Sequence, residues 1–195
     1  MRITDIYQTL EDRQNYEEVE EHGPFFCSVK YPDGSLKKGT KVPWLGEGYY
    51  FWDTRICDAH WWGMTVYNSK RYIICHTTYD QHSPYLFDLV SNVDQFDDFI
   101  RCAELVAEKR KVKSVSFPVV LSYLKKEVQE FNFKAIRVWP HPETYKKTLV
   151  NFPGGKLFLP WVDKIQICFF DKTLLTNPYQ IVYKNKDTLA AEQTI

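Results

Sequence analysis

Two short segments carry the residue types whose spacing points to chemistry. The first is Gly46-Glu47-Gly48-Tyr49-Tyr50-Phe51-Trp52-Asp53, a glycine turn running into four consecutive rings. The second is Asp163-Lys164-Ile165-Gln166-Ile167-Cys168-Phe169-Phe170-Asp171, in which one amide stands among apolar residues. Strand alternation puts Ile165, Ile167 and Phe169 on one face and Gln166 and Cys168 on the other. A carboxamide in an apolar strand needs its hydrogen bonds made. A ligand hydroxyl makes them, and so does backbone at a sheet edge. In the first segment Tyr50 and Trp52 share one strand face, and Tyr49 and Phe51 share the other. Rings with a polar edge suit a site that holds a flat ligand and still meets water. Thirteen Phe, thirteen Tyr and six Trp make 16% of the 195 residues, which an aromatic core explains equally well.

Other chemistries find less support. The five cysteines (Cys27, Cys57, Cys75, Cys102, Cys168) form no C-x-x-C pair, and most have apolar neighbours, as buried reduced thiols do. His60, His76, His82 and His141 show no metal-ligand spacing relative to them, so no metal is expected. A Cys/His hydrolase would need Cys75 or Cys27 with a distant histidine, yet a thiol inside an apolar strand is usually inert packing. Neither G-x-x-x-x-G-K nor G-x-G-x-x-G occurs. Twenty-five basic and 25 acidic residues cancel, which is unlike a protein that grips nucleic-acid backbone. The clusters Lys109-Arg110-Lys111 with Lys113, Lys125-Lys126 and Lys146-Lys147 read as solvated faces, leaving nucleic acid open as a transient substrate. No apolar run reaches membrane-spanning length, and Met1-Arg2-Ile3-Thr4-Asp5 does not begin a signal peptide. The expected location is the cytoplasm.

The elements that must position these residues read as an α+β domain. Strands are expected at Ile3–Leu10, Phe25–Val29, Tyr49–Trp52, Ile73–Thr77 and Tyr85–Val90, and a surface helix or turn at Glu17–Glu21. Tyr31-Pro-Asp-Gly34 is a turn by its chemistry. Asp53 or Thr54 can cap a helix that runs to about Gly63. Val93, Phe96, Phe99, Ile100, Ala103, Val106 and Ala107 recur at helical steps, so one face of a long helix is apolar. Ser116 and Pro118 open a further helix that buries Leu121, Leu124 and Val128. Strands return at Ala135–Trp139, Lys156–Leu159, Ile165–Phe170 and Gln180–Tyr183. Strands at both ends with a helical middle fit α+β better than an alternating parallel fold. One domain over 1–183 is expected, with a flexible tail over 184–195.

The glycine segment resembles the second motif of the diphtheria-toxin-like and poly(ADP-ribose)-polymerase-like ADP-ribosyltransferases, with Gly48-Tyr49-Tyr50-Phe51 matching G-x-Y-F. In that family a G-x-G turn leads into a strand ending in an aromatic pair, and a small residue on the next helix faces the nicotinamide pocket. The resemblance implies Tyr50 as the stacking ring, with Tyr49 as second choice. It also implies Gly48, Trp52, Ala59 and Trp62 beside the cofactor. The Asp163–Asp171 segment resembles the third motif, a strand opened by Glu or, in some members, by Gln; that role falls to Gln166. Asp5-Ile6-Tyr7-Gln8-Thr9 resembles the strand of the first motif, with Gln8 where His would stand and Thr9 beside it; His22 is the other candidate.

What the resemblance implies is a split-sheet core with NAD in the cleft, as substrate. Its nicotinamide bond would break through an oxocarbenium-like ribose, helped by strain and by placed dipoles. Gln166 can bind a ribose hydroxyl, but an amide is no base at neutral pH. Either the acceptor needs no strong base, or Glu47 or Asp163 serves, or the fold binds without catalysing. Transfer of a single ADP-ribose to an unnamed protein or nucleic-acid acceptor is the implied reaction. A bacterial toxin or antiphage effector, with an antitoxin protein as partner, is the implied setting. The alternative is a non-catalytic module for a nucleotide, an RNA or a protein, with Trp44, Trp52, Trp61 and Trp62 stacking bases.

Overall fold

A computed structural model describes residues 1–31, 33–39, 42–67, 70–140, 149–151, 158–160 and 164–185. It is a mixed α+β structure. The strands are β1 (Ile3–Glu11), β2 (Tyr49–Asp53), β3 (Tyr72–Asp80), β4 (Leu86–Asp88), β5 (Ala135–Val138), β6 (Leu149–Asn151), β7 (Phe158–Pro160), β8 (Gln166–Phe169) and β9 (Leu175–Lys184). The helices are α1 (Tyr16–His22), α2 (Ile56–Val66), α3 (Val93–Arg110) and α4 (Phe117–Glu127). Seven strands form one sheet in the order β4-β5-β8-β2-β1-β3-β9, curled into a half-barrel, while β6 and β7 form a separate pair.

The sheet is unevenly stitched. β1 pairs with β3 over nine registered positions, Ile3↔Asp80 to Glu11↔Tyr72. β2 pairs with β8 over all of Tyr49↔Phe169 to Trp52↔Gln166. Between β1 and β2 only Ile6↔Asp53 and Tyr7↔Trp52 are in register. Beyond that junction the two halves separate, with β1, β3 and β9 on one side and β2, β8, β5 and β4 on the other.

Period-two patterning gives each face its own core. On one face Ile6, Phe51, Ile73, Cys75, Tyr79, Ile167, Phe169 and Tyr179 pack with Val19 of α1. On the other, Phe87, Ile136, Val138 and Cys168 pack under Phe99 of α3 and Val120, Leu121 and Leu124 of α4. Trp52, Tyr72 and Ile74 on that face pack under Ala59 of α2.

Several expectations need correction. Phe25–Val29 is not a strand; its one ladder contact is an isolated bridge, Cys27↔Gly48. The strand expected over Tyr85–Val90 is only Leu86–Asp88. β9 begins at Leu175, earlier than Gln180, and tolerates Pro178 because it is the outer strand of the sheet with a register shift nearby. Neither Asp53 nor Thr54 caps α2. Arg55 is at the N-cap with no side-chain cap bond, because the Asp53 carboxylate is buried elsewhere. The α3 stripe is narrower than its periodicity implies: Phe99 and Val106 are buried, whereas Val93, Phe96 and Ile100 are exposed. In α4 Val120 joins Leu121 and Leu124 in the core, and Val128 is half-buried at the C-cap. The strand expected at Lys156–Leu159 begins at Phe158 within the described residues, and 186–195 of the expected tail lie outside them.

Candidate functional site

Where β1 and β2 part, the gap becomes a cavity of about 590 Å3. That lies inside the range of ligand clefts, roughly 300–1,000 Å3. Gln8, Thr9 and Leu10 line it from β1, and Tyr50, Phe51 and Trp52 from β2. Gln166 opens β8 at its wall, and Trp62 and Tyr67 come from the end of α2. Phe25, Phe26, Cys27, Val42, Pro43 and Trp44 close it from the connection between α1 and β2. Three segments far apart in the chain, around residues 8, 50 and 166, thus meet on neighbouring strands at one crevice.

Gln8 is 6% exposed, and its amide is fully used by the chain. Nε2 donates to the carbonyls of Phe25 (3.1 Å) and Tyr50 (3.3 Å). Oε1 accepts from Phe25 N–H (3.0 Å) and from the Tyr179 hydroxyl (2.7 Å). These are the two donors and two lone pairs a carboxamide has. Gln8 therefore bridges the split where the β1–β2 ladder stops. Thr9 is likewise engaged, its hydroxyl donating to the Ala59 carbonyl at 2.9 Å. Ala59 is fully buried beneath α2 and does not reach the cavity wall.

Tyr50 lines the cavity with its ring and holds a turn with its hydroxyl. The hydroxyl accepts from Leu45 N–H (2.9 Å) and donates to the Gly46 carbonyl (2.7 Å). Burial pushes its ionisation far above the ordinary phenol range. Gly46 itself takes φ +83°, a left-handed turn position that glycine adopts without strain. Gly48 lies against β8, where an added Cβ would collide with Cys168 Sγ and the Phe169 carbonyl. Tyr49 points to the opposite face, packing edge-on against Phe26 at 5.0 Å with Lys172 Nζ over its ring, and it does not line the cavity.

Gln166 stands opposite Trp52 in the ladder. Its Oε1 accepts from Trp44 Nε1 at 2.6 Å, and among the described residues Nε2 has no acceptor. The rings beside it form a cluster, with Trp52 5.7 Å from Trp62 and Trp44 5.5 Å from Phe117 of α4. Trp61 is 39% exposed and packs on Trp52 from outside the cavity. Sequence reasoning missed Phe26, Val42, Pro43 and Tyr67 as wall residues; the apolar break Val42-Pro43-Trp44-Leu45 after the polar stretch 33–41 was the available signal.

Among the described residues the wall contains no carboxylate and no cation. Glu47 is outside it, its carboxylate accepting from the Ser28 hydroxyl and from Val29 N–H (3.0 Å), which together lower its ionisation. Asp163 lies outside the described residues. His22 is exposed at the end of α1 and does not line the cavity. Lys125 and Lys126 border a separate hollow of about 190 Å3 that Gly46 and Glu47 also line, and burial lowers the Lys125 ammonium to about 8. Among the described residues no three His, Cys, Asp or Glu side chains gather as a metal site. The buried thiols Cys75 and Cys168 are poor nucleophiles, since burial pushes them up to about 11 and about 12.

Beneath the junction lies a buried ion network. Arg137 Nε donates to Asp53 Oδ2 at 2.6 Å, its Nη1 donates to Asp88 Oδ1 at 3.1 Å and to Ser91 Oγ at 3.0 Å, and the Tyr79 hydroxyl donates to Asp53 Oδ1 at 3.2 Å. This network fixes the end of β2 against β5 and β4, and so the direction in which Trp52 leaves the strand. Asp58 in the first turn of α2 accepts from Lys164 N–H at 3.0 Å, which fixes the chain just before Gln166. No family model matches the sequence, and no curated protein and no solved structure matches the chain.

Proposed function

We propose that the split-sheet cavity takes NAD by its nicotinamide end, and that the chain is a mono-ADP-ribosyltransferase of the ADP-ribosyltransferase-like fold. The observation that carries this reading is the meeting of Gln8, Tyr50 and Gln166. Each was singled out by a separate motif resemblance, and all three line one cavity where the sheet parts. Trp52 and Trp62 supply ring faces for a planar group. The reaction proceeds by placement and by exclusion of water, because the wall holds no base among the described residues. A toxin or antiphage role, with a protein or nucleic-acid acceptor and a neutralising antitoxin, belongs to the same proposal and rests on the resemblance alone.

The absence of charge among the described wall residues favours a second reading, a non-catalytic module that recognises an uncharged planar group such as a base. Incubation with NAD labelled in its adenylate half separates the two. Label on protein or nucleic acid from the wild type, lost in Gln166→Ala with its fold intact by circular dichroism, supports transfer. Saturable binding without turnover supports the module. Absence of both contradicts the nucleotide site.

A further inference from the structure

The hydrogen bond between Trp44 and Gln166 decides what kind of ligand atom the cavity reads. An indole N–H only donates, so the carboxamide edge facing it must be Oε1. Trp44 is itself held on two sides. Phe117 of α4 packs against its ring, and the Tyr50 hydroxyl clamps the next two residues through Leu45 N–H and the Gly46 carbonyl. The amide is thus oriented by a chain of fixed contacts, and its NH2 edge, with no acceptor among the described residues, is what a ligand meets.

That edge adjoins the ring of Trp52. Directly opposite residues of an antiparallel pair have Cβ atoms about 5 Å apart, so a planar ring lying on Trp52 brings its rim within reach of Gln166. Among the described wall residues no carboxylate stands ready to take a hydroxyl proton, whereas the Gln166 NH2 edge is a free donor. A carbonyl oxygen needs only donors. We infer that Trp44 is a positioning residue that locks Gln166 as a hydrogen-bond donor, and that the cavity selects a planar ring bearing a carbonyl oxygen. This rests on the cavity being a ligand site, as proposed above, but not on any transfer reaction.

Three small pyridines test it by titration calorimetry on the full chain at mildly alkaline pH, where all are uncharged. Nicotinamide has the carbonyl and an amide NH2, 3-acetylpyridine has the carbonyl alone, and 3-ethylpyridine has neither. The wild type is expected to bind the first two comparably and 3-ethylpyridine about tenfold more weakly, the worth of one buried hydrogen bond. Trp44→Phe keeps the ring but frees the amide, and is expected to lose most of that discrimination. Gln166→Glu keeps an acceptor for Trp44 and removes the donor, so 3-acetylpyridine is expected to weaken about tenfold. The Trp44 indole N–H resonance should stay downfield in Gln166→Glu and move upfield in Gln166→Met. Equal binding of all three pyridines, or discrimination unchanged in Trp44→Phe, overturns the inference while leaving the NAD site standing. Failure of every pyridine and of NAD to bind the folded chain overturns both.

Discussion

Trp52 on β2 and Gln166 on β8 stand directly opposite one another in the antiparallel ladder, and both line the cavity at the split. The relationship spans more than a hundred positions and depends on the register Tyr49↔Phe169 to Trp52↔Gln166 being kept. A slip of one residue would turn Gln166 to the opposite face.

The missing base at this place leads to the first prediction. Gln166→Glu retains an acceptor for Trp44 and adds a group able to take a proton. If NAD occupies the cavity and turnover is limited by that lack, NAD consumption at saturating NAD should rise about tenfold or more, even though the lost donor weakens binding. Liberated nicotinamide measures it, and an unchanged rate would contradict a base-limited reaction.

Arg137 is the partner on which the junction depends. Arg137→Met leaves the Asp53 carboxylate, 2% exposed, without its cation. A loss of about 3–5 kcal/mol in urea unfolding is expected. Arg137→Lys should not restore it, because a single ammonium does not reach Asp53 and Asp88 with the separated nitrogens of a guanidinium. A loss below about 1 kcal/mol would show that the network is not what fixes β2.

Gln8 serves the fold through all four of its hydrogen-bonding positions. Gln8→Leu strands the Phe25 N–H and should cost about 1–3 kcal/mol. In a domain of this size that is a fall of very roughly 2–12 °C in melting temperature. Unchanged stability would return Gln8 to a purely ligand-binding role.

Buried thiols contribute to the alkaline limit, beside the buried phenols of Tyr50, Tyr79 and Tyr179. Cys75 is raised from 9.0 to about 11 and Cys168 from 9.0 to about 12, both chiefly by burial. Below pH 9 both are protonated folded and unfolded, so their contribution is complete. Above it the unfolded chain loses protons that the folded chain keeps, and stability falls until pH passes the folded values. Urea midpoints should therefore drop between pH 9 and about 11, with a shallower drop in Cys75→Ala/Cys168→Ala. In the native protein a thiol reagent should reach the exposed Cys27 and Cys57 first, and Cys75 and Cys168 only on unfolding.

Local signals made much of the fold legible. Alternation marked β1, β2 and β8, and three- and four-residue steps marked α3 and α4. What stayed hidden was set by partners distant in the chain. Asp53 has the chemistry of a helix cap, and its contacts with Tyr79 and with Arg137, 84 positions away, turn it inward. Gln8 looks like a ribose ligand until Phe25 and Tyr179 fill its lone pairs. Phe25–Val29 has strand residues but no continuous neighbour beyond the bridge at Gly48. The rings of the candidate site were visible as types. That Tyr50 lines the cavity while Tyr49 turns away followed from alternation, but Trp44 holding Gln166 did not, since 122 positions separate them.

The most direct test of the account is a titration of the folded chain with NAD, read on the tryptophan indole N–H resonances assigned by single substitutions. The signals of Trp44, Trp52 and Trp62 are predicted to shift together and saturably, because all three border the same cavity. If those three signals stay fixed at saturating NAD, the ligand does not enter where the sheet parts, and the nucleotide-site account is contradicted.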